Sequence, residues 1–506
     1  MTYTVSEGKA GWRQWTGLAI LMLPVLLISV TVTVLFFALP SLTAELAPSG
    51  AQQLWIVDIY AFLLAGLLVP MGNLGDRIGR RRLLMVGAVV FGATSALAAY
   101  APNAELLIAA RGLQGAAAAT LMPPTLALIR VMFTEARQLN MAVAIWAAVF
   151  TLGSVAGPII GGWLLELFWW GSVFLISVPI MIVLLLLGPL LPEYRDPNPG
   201  KFDLLSAVLV LLAALPLVYA VKMVAEQDLS ATTGLAAAAG LLFLALFTRR
   251  QRRLPDPMLD LALFRRKAFT VSLITAALAV FALVGTFYFI TQYLMSVLEL
   301  RPIVAGLMTV PAAVSAAAGS VLGAALTRWF RAGAVMGAGM VFGAGGFLLI
   351  ALLGTEANLP LLFGGLFVLG WGIGSVQALA STMVVSTAPP EKAGSASGLF
   401  ESATEFGQAL GAAILGSIGV AVYRATLAGA LPPEVPGEAA AVAHETLGGA
   451  LAVAGELPQA AGAALESAAR AAYVEGMQVA ALSGAAVMLV MGILAFVHIR
   501  EAQPSA

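Results

Sequence analysis

Apolar runs long enough to cross a lipid bilayer recur along the whole sequence and leave little room for any other fold. A spanning helix needs about 17–25 apolar residues, and roughly fourteen runs meet that length. Only 10% of the 506 residues are charged, against about 25% in a soluble domain, so we predict an all-α polytopic membrane protein. The predicted spans cover residues 15–39, 52–72, 83–100, 105–128, 138–162, 171–191, 204–222, 231–248, 268–291, 303–326, 333–353, 359–382, 395–423 and 477–498.

Basic residues orient these spans. With the N-terminus inside, Arg and Lys on the cytoplasmic segments outnumber those in the outer loops by roughly five to one. The outer loops then hold only Lys222, Arg301, Arg424 and Arg470. The first run lacks a cleavage site and is interpreted as a span, not a signal peptide. We therefore predict a multi-pass protein of a bacterial cytoplasmic (inner) membrane with both termini in the cytoplasm.

The sequence divides into halves at a basic linker, Arg249–Lys267. The turn Gly72–Arg82 after span two has a weakly similar counterpart, Gly323–Gly333, after span ten. Paired halves with related turns point to a transporter whose site lies between them. The predicted units are an N-terminal six-helix bundle at 1–200, two inserted spans with the linker at 201–267, and a C-terminal six-helix bundle at 268–506. Within the last unit, the outer loop 425–475 is predicted to be a short helical hairpin, with a flexible loop as the alternative.

Composition excludes several classes of function. Net charge is zero and no basic tail is present, so nucleic acid is not an expected partner. The chain has no cysteine, and its two histidines, His444 and His498, lie outside the span interiors, which argues against a metal site. No nucleotide-binding loop, zinc-protease motif or serine-hydrolase elbow occurs. We expect no enzyme activity and no cofactor, and we expect energy from an ion gradient.

Three carboxylates inside apolar runs are the first candidates for function: Asp58, Glu401 and Glu405. An ionised acid at mid-bilayer depth costs roughly 2.5–3.5 kcal/mol on insertion scales, so each needs a watery or protein-lined cavity. Glu401 and Glu405 are four residues apart and share one helix face. Because like charges repel strongly in a low dielectric, at least one of the two is expected to hold a proton in some state. An outer vestibule that merely attracts cations is the alternative.

Arg111 is the basic residue placed deep in a span, and it needs a carboxylate, water or carbonyl groups nearby. Small residues form two further patterns. Gly153, Gly157 and Gly161 line one face of span five, where another helix can approach closely, and Pro158 bends that span. In the turn Gly72–Arg82, small residues allow a tight bend, Asp76 can cap a helix or pair with an arginine, and the arginines anchor the inner face. An ordinary positive-inside loop is the alternative for the turn.

Aromatic side chains near the acids suit lipophilic cations through dispersion and cation–π contact, although packing or lipid contact is the alternative for each of them. The candidates for lining a cavity, with the polar Thr31, are Trp55, Tyr60, Trp146, Tyr288 and Phe400.

Several ordered strings resemble those of the major facilitator superfamily. The turn with Gly72, Gly75, Asp76, Arg77, Gly79 and Arg80 is similar to the signature between spans two and three. Arg111–Gly115 is similar to the span-four motif. Gly153, Gly157, Pro158, Gly161 and Gly162 match the span-five antiporter motif. Fourteen spans with acids in span thirteen resemble drug:proton antiporters for quaternary ammonium compounds, and Leu54–Asp58, Leu121–Pro123 and Arg195–Gly200 resemble actinobacterial pumps for dyes and fluoroquinolones.

The resemblance implies the major facilitator fold, two six-helix bundles plus two extra spans, in a monomer within the lipid bilayer. It implies export of lipophilic cationic drugs in exchange for protons, with the proton gradient as energy source. Arg111 would be a proton-coupling switch with Asp58 as partner, or alternatively half of a permanent ion pair. Export of a lipid or an endogenous antibiotic remains open, and so does a non-transporting membrane sensor.

The sequence departs from the family pattern in the first span. That span usually reads D-x-T-V-x-N-V-A-L-P, whereas here Thr31 stands at the acid and Phe36 at the asparagine. Since that acid is implicated in substrate or proton handling in many relatives, its absence argues against dicationic substrates.

Overall fold

The computed structural model describes residues 10–195, 203–225, 230–254, 257, 263–387 and 393–499. Within these ranges the regular secondary structure is entirely helical, and fourteen helical segments are long and apolar enough to cross a membrane. The helices are α1 (Trp12–Leu46), α2 (Gly50–Ile78), α3 (Arg80–Ala99), α4 (Ala104–Met132), α5 (Ala136–Leu167), α6 (Ser172–Leu175), α7 (Ser177–Leu187), α8 (Leu204–Ala225), α9 (Ala231–Gln251), α10 (Lys267–Gln292), α11 (Pro302–Leu326), α12 (Ala332–Ile350), α13 (Leu359–Thr387), α14 (Ala393–Ala430), α15 (Gly437–Glu445), α16 (Leu447–Glu456) and α17 (Gln459–His498).

The predicted all-helical class and the count of fourteen spans are confirmed. The bounds of the last spans were too short in the prediction. Helix α14 runs on to Ala430, and α17 begins at Gln459 and not near residue 477. The hairpin expected across 425–475 is therefore confined to α15 and α16, because the flanking Ala-rich segments extend the neighbouring helices.

Two groups of helices and an inserted pair make up the molecule. Helices α1 to α7 pack among themselves, as do α10 to α14 with α17, while α8 and α9 pack on each other. The two groups meet along α2 with α14 and along α5 with α11, and α8 lies against both α2 and α14. A site between the groups can therefore receive side chains from both groups and from the inserted pair.

One end of the bundle is marked by a tight turn between α2 and α3 that favours glycine. Helix α2 ends at Ile78 and α3 begins at Arg80, and Gly79 between them has a φ of 112°. That value lies in a region that residues with a Cβ rarely adopt. We call the end that holds this turn the basic end, and the end that holds α15 and α16 the opposite end.

Helix α5 joins the two groups through close backbone contacts. On one side, a Cβ added to Gly157 would lie 1.9 Å from Oγ1 of Thr33 on α1. On the other side, a Cβ added to Gly306 of α11 would lie 2.4 Å from the carbonyl oxygen of Pro158. Close approach of this kind is what small residues permit in membrane helices. Gly162 likewise faces the backbone of Pro302.

We expect Gly157→Val to lower the free energy of unfolding by about 1–3 kcal/mol, because the added atoms overpack the contact of α5 with α1. The matched control is Gly234→Val on α9, where nothing lies within 4 Å of an added Cβ. Thermal unfolding of both purified variants in detergent measures the difference. Equal melting temperatures would contradict the close packing described for α5.

Candidate functional site

A cavity of about 550 Å³ lies between the two groups and reaches the basic end. Helices α2, α4 and α14 form most of its wall, and Val210 of α8, Phe247 of α9, Phe264, and Leu273 of α10 also line it. Asp76 and Arg80 of the turn line it, as does Arg130 at the end of α4. The cavity therefore has a basic mouth and a largely apolar interior, with a volume in the range of small-molecule sites.

Glu401 lines this cavity, and the polar side chains of α14 continue inward from it. Glu405 lies one turn further along α14 and accepts a hydrogen bond from Nε2 of Gln408 at 3.4 Å. Gln408 lines a second, small cavity of about 20 Å³ that also contains Asp58, Tyr60 and Arg111. The seven residues of helix from Glu401 to Gln408 span about 10 Å. Glu401 and Glu405 therefore lie on the stretch of α14 that leads from the large cavity to the small one.

Asp58 is fully buried, and its partner is a lysine of the inserted pair. Nζ of Lys222 lies 2.8 Å from Oδ2 of Asp58, and neither side chain is exposed. The same ammonium lies 3.8 Å from the ring centroid of Trp55, one turn before Asp58 on α2. The site therefore holds a cation between a carboxylate and the face of an indole ring.

This pairing corrects two predictions. Lys222 was assigned to an outer loop, but it lies within α8 and is 1% exposed. Asp58 was the partner expected for Arg111, but it pairs with Lys222. The sequence carried a usable signal, because the apolar run that continues through Ala225 contains this lysine. A charge in such a run is costly, so Lys222 is a candidate functional residue on the same grounds as the acids.

Arg111 is bound by carbonyl, amide and aromatic groups. Its Nε donates to the backbone oxygen of Ile56 at 3.2 Å, and its Nη1 donates to Oε1 of Gln114 at 2.6 Å. The guanidinium carbon lies 4.5 Å from the ring centroid of Tyr60. Gln114 in turn donates to Ser95 at 2.7 Å, so the network connects α2, α3 and α4.

Ion pairs fix the turn at the basic end. Asp76 accepts from Nε of Arg80 at 2.8 Å, and Arg80 also donates to the backbone oxygen of Ala127 on α4 at 3.0 Å. Glu193 lies near Arg81 and Arg82, at 3.5 and 3.9 Å. The predicted option of an Asp76–arginine pair is the one observed. Arg77 is exposed on the same turn.

The opposite end is held together by contacts between the groups. Gln53 of α2 donates to Gln292 of α10 at 3.2 Å, and both side chains are buried. Arg301 pairs with Glu166 at 3.0 Å. These contacts lie beyond Asp58 along the helices, so they join the two groups toward the opposite end, while the large cavity reaches the basic end.

The other predicted cavity residues have varied surroundings. Tyr60 lines the small cavity, and Trp55 contacts Lys222. The remaining four are in neither of the two cavities. Thr31 is buried and donates to the backbone of Leu27, Trp146 donates to Thr125, Tyr288 packs on Phe289, and Phe400 packs among partly buried apolar side chains. The string that continues beyond Arg195 to residue 200 lies outside the described residues.

Two helical groups around a shared cavity, with a family-type turn and antiporter motif, define a membrane transporter. The family model described as "Major Facilitator Superfamily" matches residues 21–412, and the chain belongs to this superfamily. The predicted resemblance is thereby confirmed, and membership places the chain among transport proteins and not among enzymes.

Curated relatives match along nearly the whole chain. The chain is 46% identical over 499 residues to the "Multidrug efflux pump LfrA" of Mycolicibacterium smegmatis, covering 98% of each. It is 35% identical to the "Methyl viologen resistance protein SmvA" of Salmonella typhimurium, covering 97% of this chain and 99% of the relative. It is 32% identical to a "Tetracenomycin C resistance and export protein" of Streptomyces glaucescens, covering 100% and 95%.

Solved structures share the fold. A bacterial homologue of the human lysosomal transporter Spinster superposes with a TM-score of 0.69 at 18% identity, covering 97% of this chain and 98% of that one. The nucleoside transporter NupG superposes with a TM-score of 0.57 at 15% identity, covering 96% and 100%. At these identities the likeness concerns the fold alone.

We expect Arg111→Lys to destabilise the protein by about 1–3 kcal/mol, because lysine cannot reproduce the forked donation to Ile56 and Gln114. The control is Arg82→Lys, whose side chain is 65% exposed and whose change should stay within about 0.5 kcal/mol. Thermal unfolding of the purified variants gives both values. A control that falls as far as Arg111→Lys would contradict the network described for α2, α3 and α4.

Proposed function

We propose that this protein exports lipophilic cations, including quaternary ammonium compounds, dyes and fluoroquinolones, in exchange for protons. We further propose that it lies as a monomer in the bacterial cytoplasmic membrane with both termini inside, so that the basic end faces the cytoplasm. The printed names of the relatives, a multidrug efflux pump and a methyl viologen resistance protein, support drug export by a transporter of this kind.

The observation that carries the proposal is Glu401 on the wall of a cavity that reaches the basic end. A carboxylate in an apolar cavity attracts an organic cation, and the apolar wall accommodates its hydrophobic body. In the proposed orientation a drug enters this cavity from the cytoplasm or from the inner leaflet. Phe406 and Leu273 on the wall offer apolar contact.

Competition for the carboxylates would couple the two fluxes. A cation bound at Glu401 or Glu405 favours the ionised acid, whereas a proton taken up from outside neutralises it and releases the cation. Closure at the basic end and opening at the opposite end would expose the same groups to the outside. The contacts that must then break include Gln53–Gln292 and Arg301–Glu166.

Export of an antibiotic made by the cell is a second candidate function. It is favoured by the 32% identity to the tetracenomycin C resistance and export protein across the whole chain. A neutral substrate would not need Glu401 or Glu405 for binding, and the efflux measurement below separates the two candidates on this point.

We expect Glu401→Gln and Glu405→Gln to reduce proton-driven efflux of ethidium from energised vesicles at least about tenfold, the scale of one to two lost charge interactions. Asp58→Asn is expected to reduce it as well, because it leaves Lys222 buried without its carboxylate. The matched control is Glu434→Gln, an exposed acid between α14 and α15 that should transport normally.

Efflux is followed by ethidium fluorescence after an imposed pH gradient, with expression confirmed for each variant. Normal efflux by Glu401→Gln and Glu405→Gln would remove these residues from the proposal. Loss of efflux in the control as well would show that the assay reports folding and not the site.

A further inference from the structure

We propose that the ammonium group of Lys222 is a tethered substitute for the transported cation. It occupies a carboxylate-and-indole site on α2, and a lipophilic cation binds at this site by displacing it. The inference rests on the proposed function and identifies a specificity-determining residue for it.

The contacts of Lys222 are those that a bound organic cation would make. Its Nζ lies 2.8 Å from Oδ2 of Asp58 and 3.8 Å from the ring centroid of Trp55. The carboxylate supplies a negative charge, and the indole face supplies cation–π attraction. Among aromatic side chains, tryptophan gives the strongest cation–π attraction. Trp55 and Asp58 are three residues apart on α2 and so present both groups on one side of the helix.

The lysine comes from outside the two helical groups. Helix α8 belongs to the inserted pair and lies against α2 and α14. Lys222 is three residues from the end of α8 at Ala225, on the side of the opposite end. A four-carbon stem at that position can carry its ammonium toward the nearby interface, as lysines near helix ends do. The displaced ammonium group of Lys222 could therefore be hydrated at that interface.

The small cavity beside Asp58 is consistent with displacement of Lys222. The small cavity there measures about 20 Å³ and is lined by Phe36, Tyr60 and Ala412, among others. It is too small for a drug-sized molecule, and it meets the Lys222 site only at Asp58, because neither Lys222 nor Trp55 lines it. Withdrawal of the lysine side chain would both free the carboxylate and add volume next to Trp55.

A permanent structural ion pair would explain the same geometry without displacement. The two accounts differ in their consequences for binding. A tethered cation that occupies the site most of the time lowers the apparent affinity for a free cation by the occupied fraction, so its removal should tighten binding. A purely structural pair gives no such gain, since its loss only weakens the fold.

The sequence contains no cysteine, so Lys222→Cys introduces a unique thiol. Treatment of the purified full-length variant with 2-aminoethyl methanethiosulfonate forms a mixed disulfide that restores an ammonium group, with sulfinate as the leaving group. Methyl methanethiosulfonate forms the neutral counterpart on the same protein. Mass spectrometry confirms each modification, and gel filtration with thermal unfolding confirms the fold.

Calorimetric titration with tetraphenylphosphonium, a lipophilic monovalent cation, gives the Kd of each form. We expect the neutral form to bind about tenfold more tightly than the aminoethyl form, as when a site occupied nine-tenths of the time is freed. Triphenylphosphine oxide, a neutral ligand of similar shape, should bind both forms equally. If the cysteine variant fails to fold, Lys222→Met compared with Lys222→Arg makes the same comparison. Lys267→Met, at the exposed start of α10, should match the unmodified protein.

Equal affinity of the two forms for tetraphenylphosphonium, or tighter binding by the aminoethyl form, would overturn the displacement account and leave the proposed function standing. An equal gain for the neutral ligand would also overturn it, because charge would then play no part. Absence of tetraphenylphosphonium binding in every form, the unmodified protein included, would instead contradict the proposed function itself.

Discussion

Burial of charge in an apolar scaffold is the constraint on which the rest of this structure depends. Every ionised group inside the bundle needs a partner or water, because an unpaired charge at that depth is costly. Three solutions occur side by side. Asp58 pairs with Lys222, Arg111 binds neutral oxygens and an aromatic face, and Glu401 borders a cavity. Of the two carboxylates, Glu401 already borders a cavity, whereas Asp58 would first have to release Lys222 before it could bind another cation.

The contacts between the two groups and the cavity between them lie toward different ends of the molecule. Small residues of α5 bring its backbone against α1 on one side and against α11 on the other. Together with Gln53–Gln292 and Arg301–Glu166, this contact joins the two groups toward the opposite end. At the basic end the ion-paired turn stays within the first group, where Arg80 binds Asp76 and the backbone of α4. The large cavity lies beside this turn, between it and α14 of the second group.

Much of this architecture could be predicted from the sequence because the signals are local. Spans follow from hydropathy, the turn from Gly79 and its arginines, and the close face of α5 from glycines four residues apart. The pairing of Lys222 with Asp58 could not be predicted, because it joins helices distant in the chain and depends on how α8 sits against α2. The partners of Arg111 were missed for a related reason. One of them is the backbone oxygen of Ile56, and because every residue has a backbone oxygen, the sequence does not indicate which one binds. The roles of the acids in transport remain predictions.

The central claim is that protons and cations compete for carboxylates between the two groups, and proton release on binding tests it most directly. Tetraphenylphosphonium is added to the purified protein in weakly buffered detergent solution that contains a pH indicator, with calorimetry on the same sample. The account predicts protons released in proportion to cation bound, with less release in Glu401→Gln and Glu405→Gln. Binding of the cation at full stoichiometry without proton release, across the pH range in which the protein is stable, would contradict it.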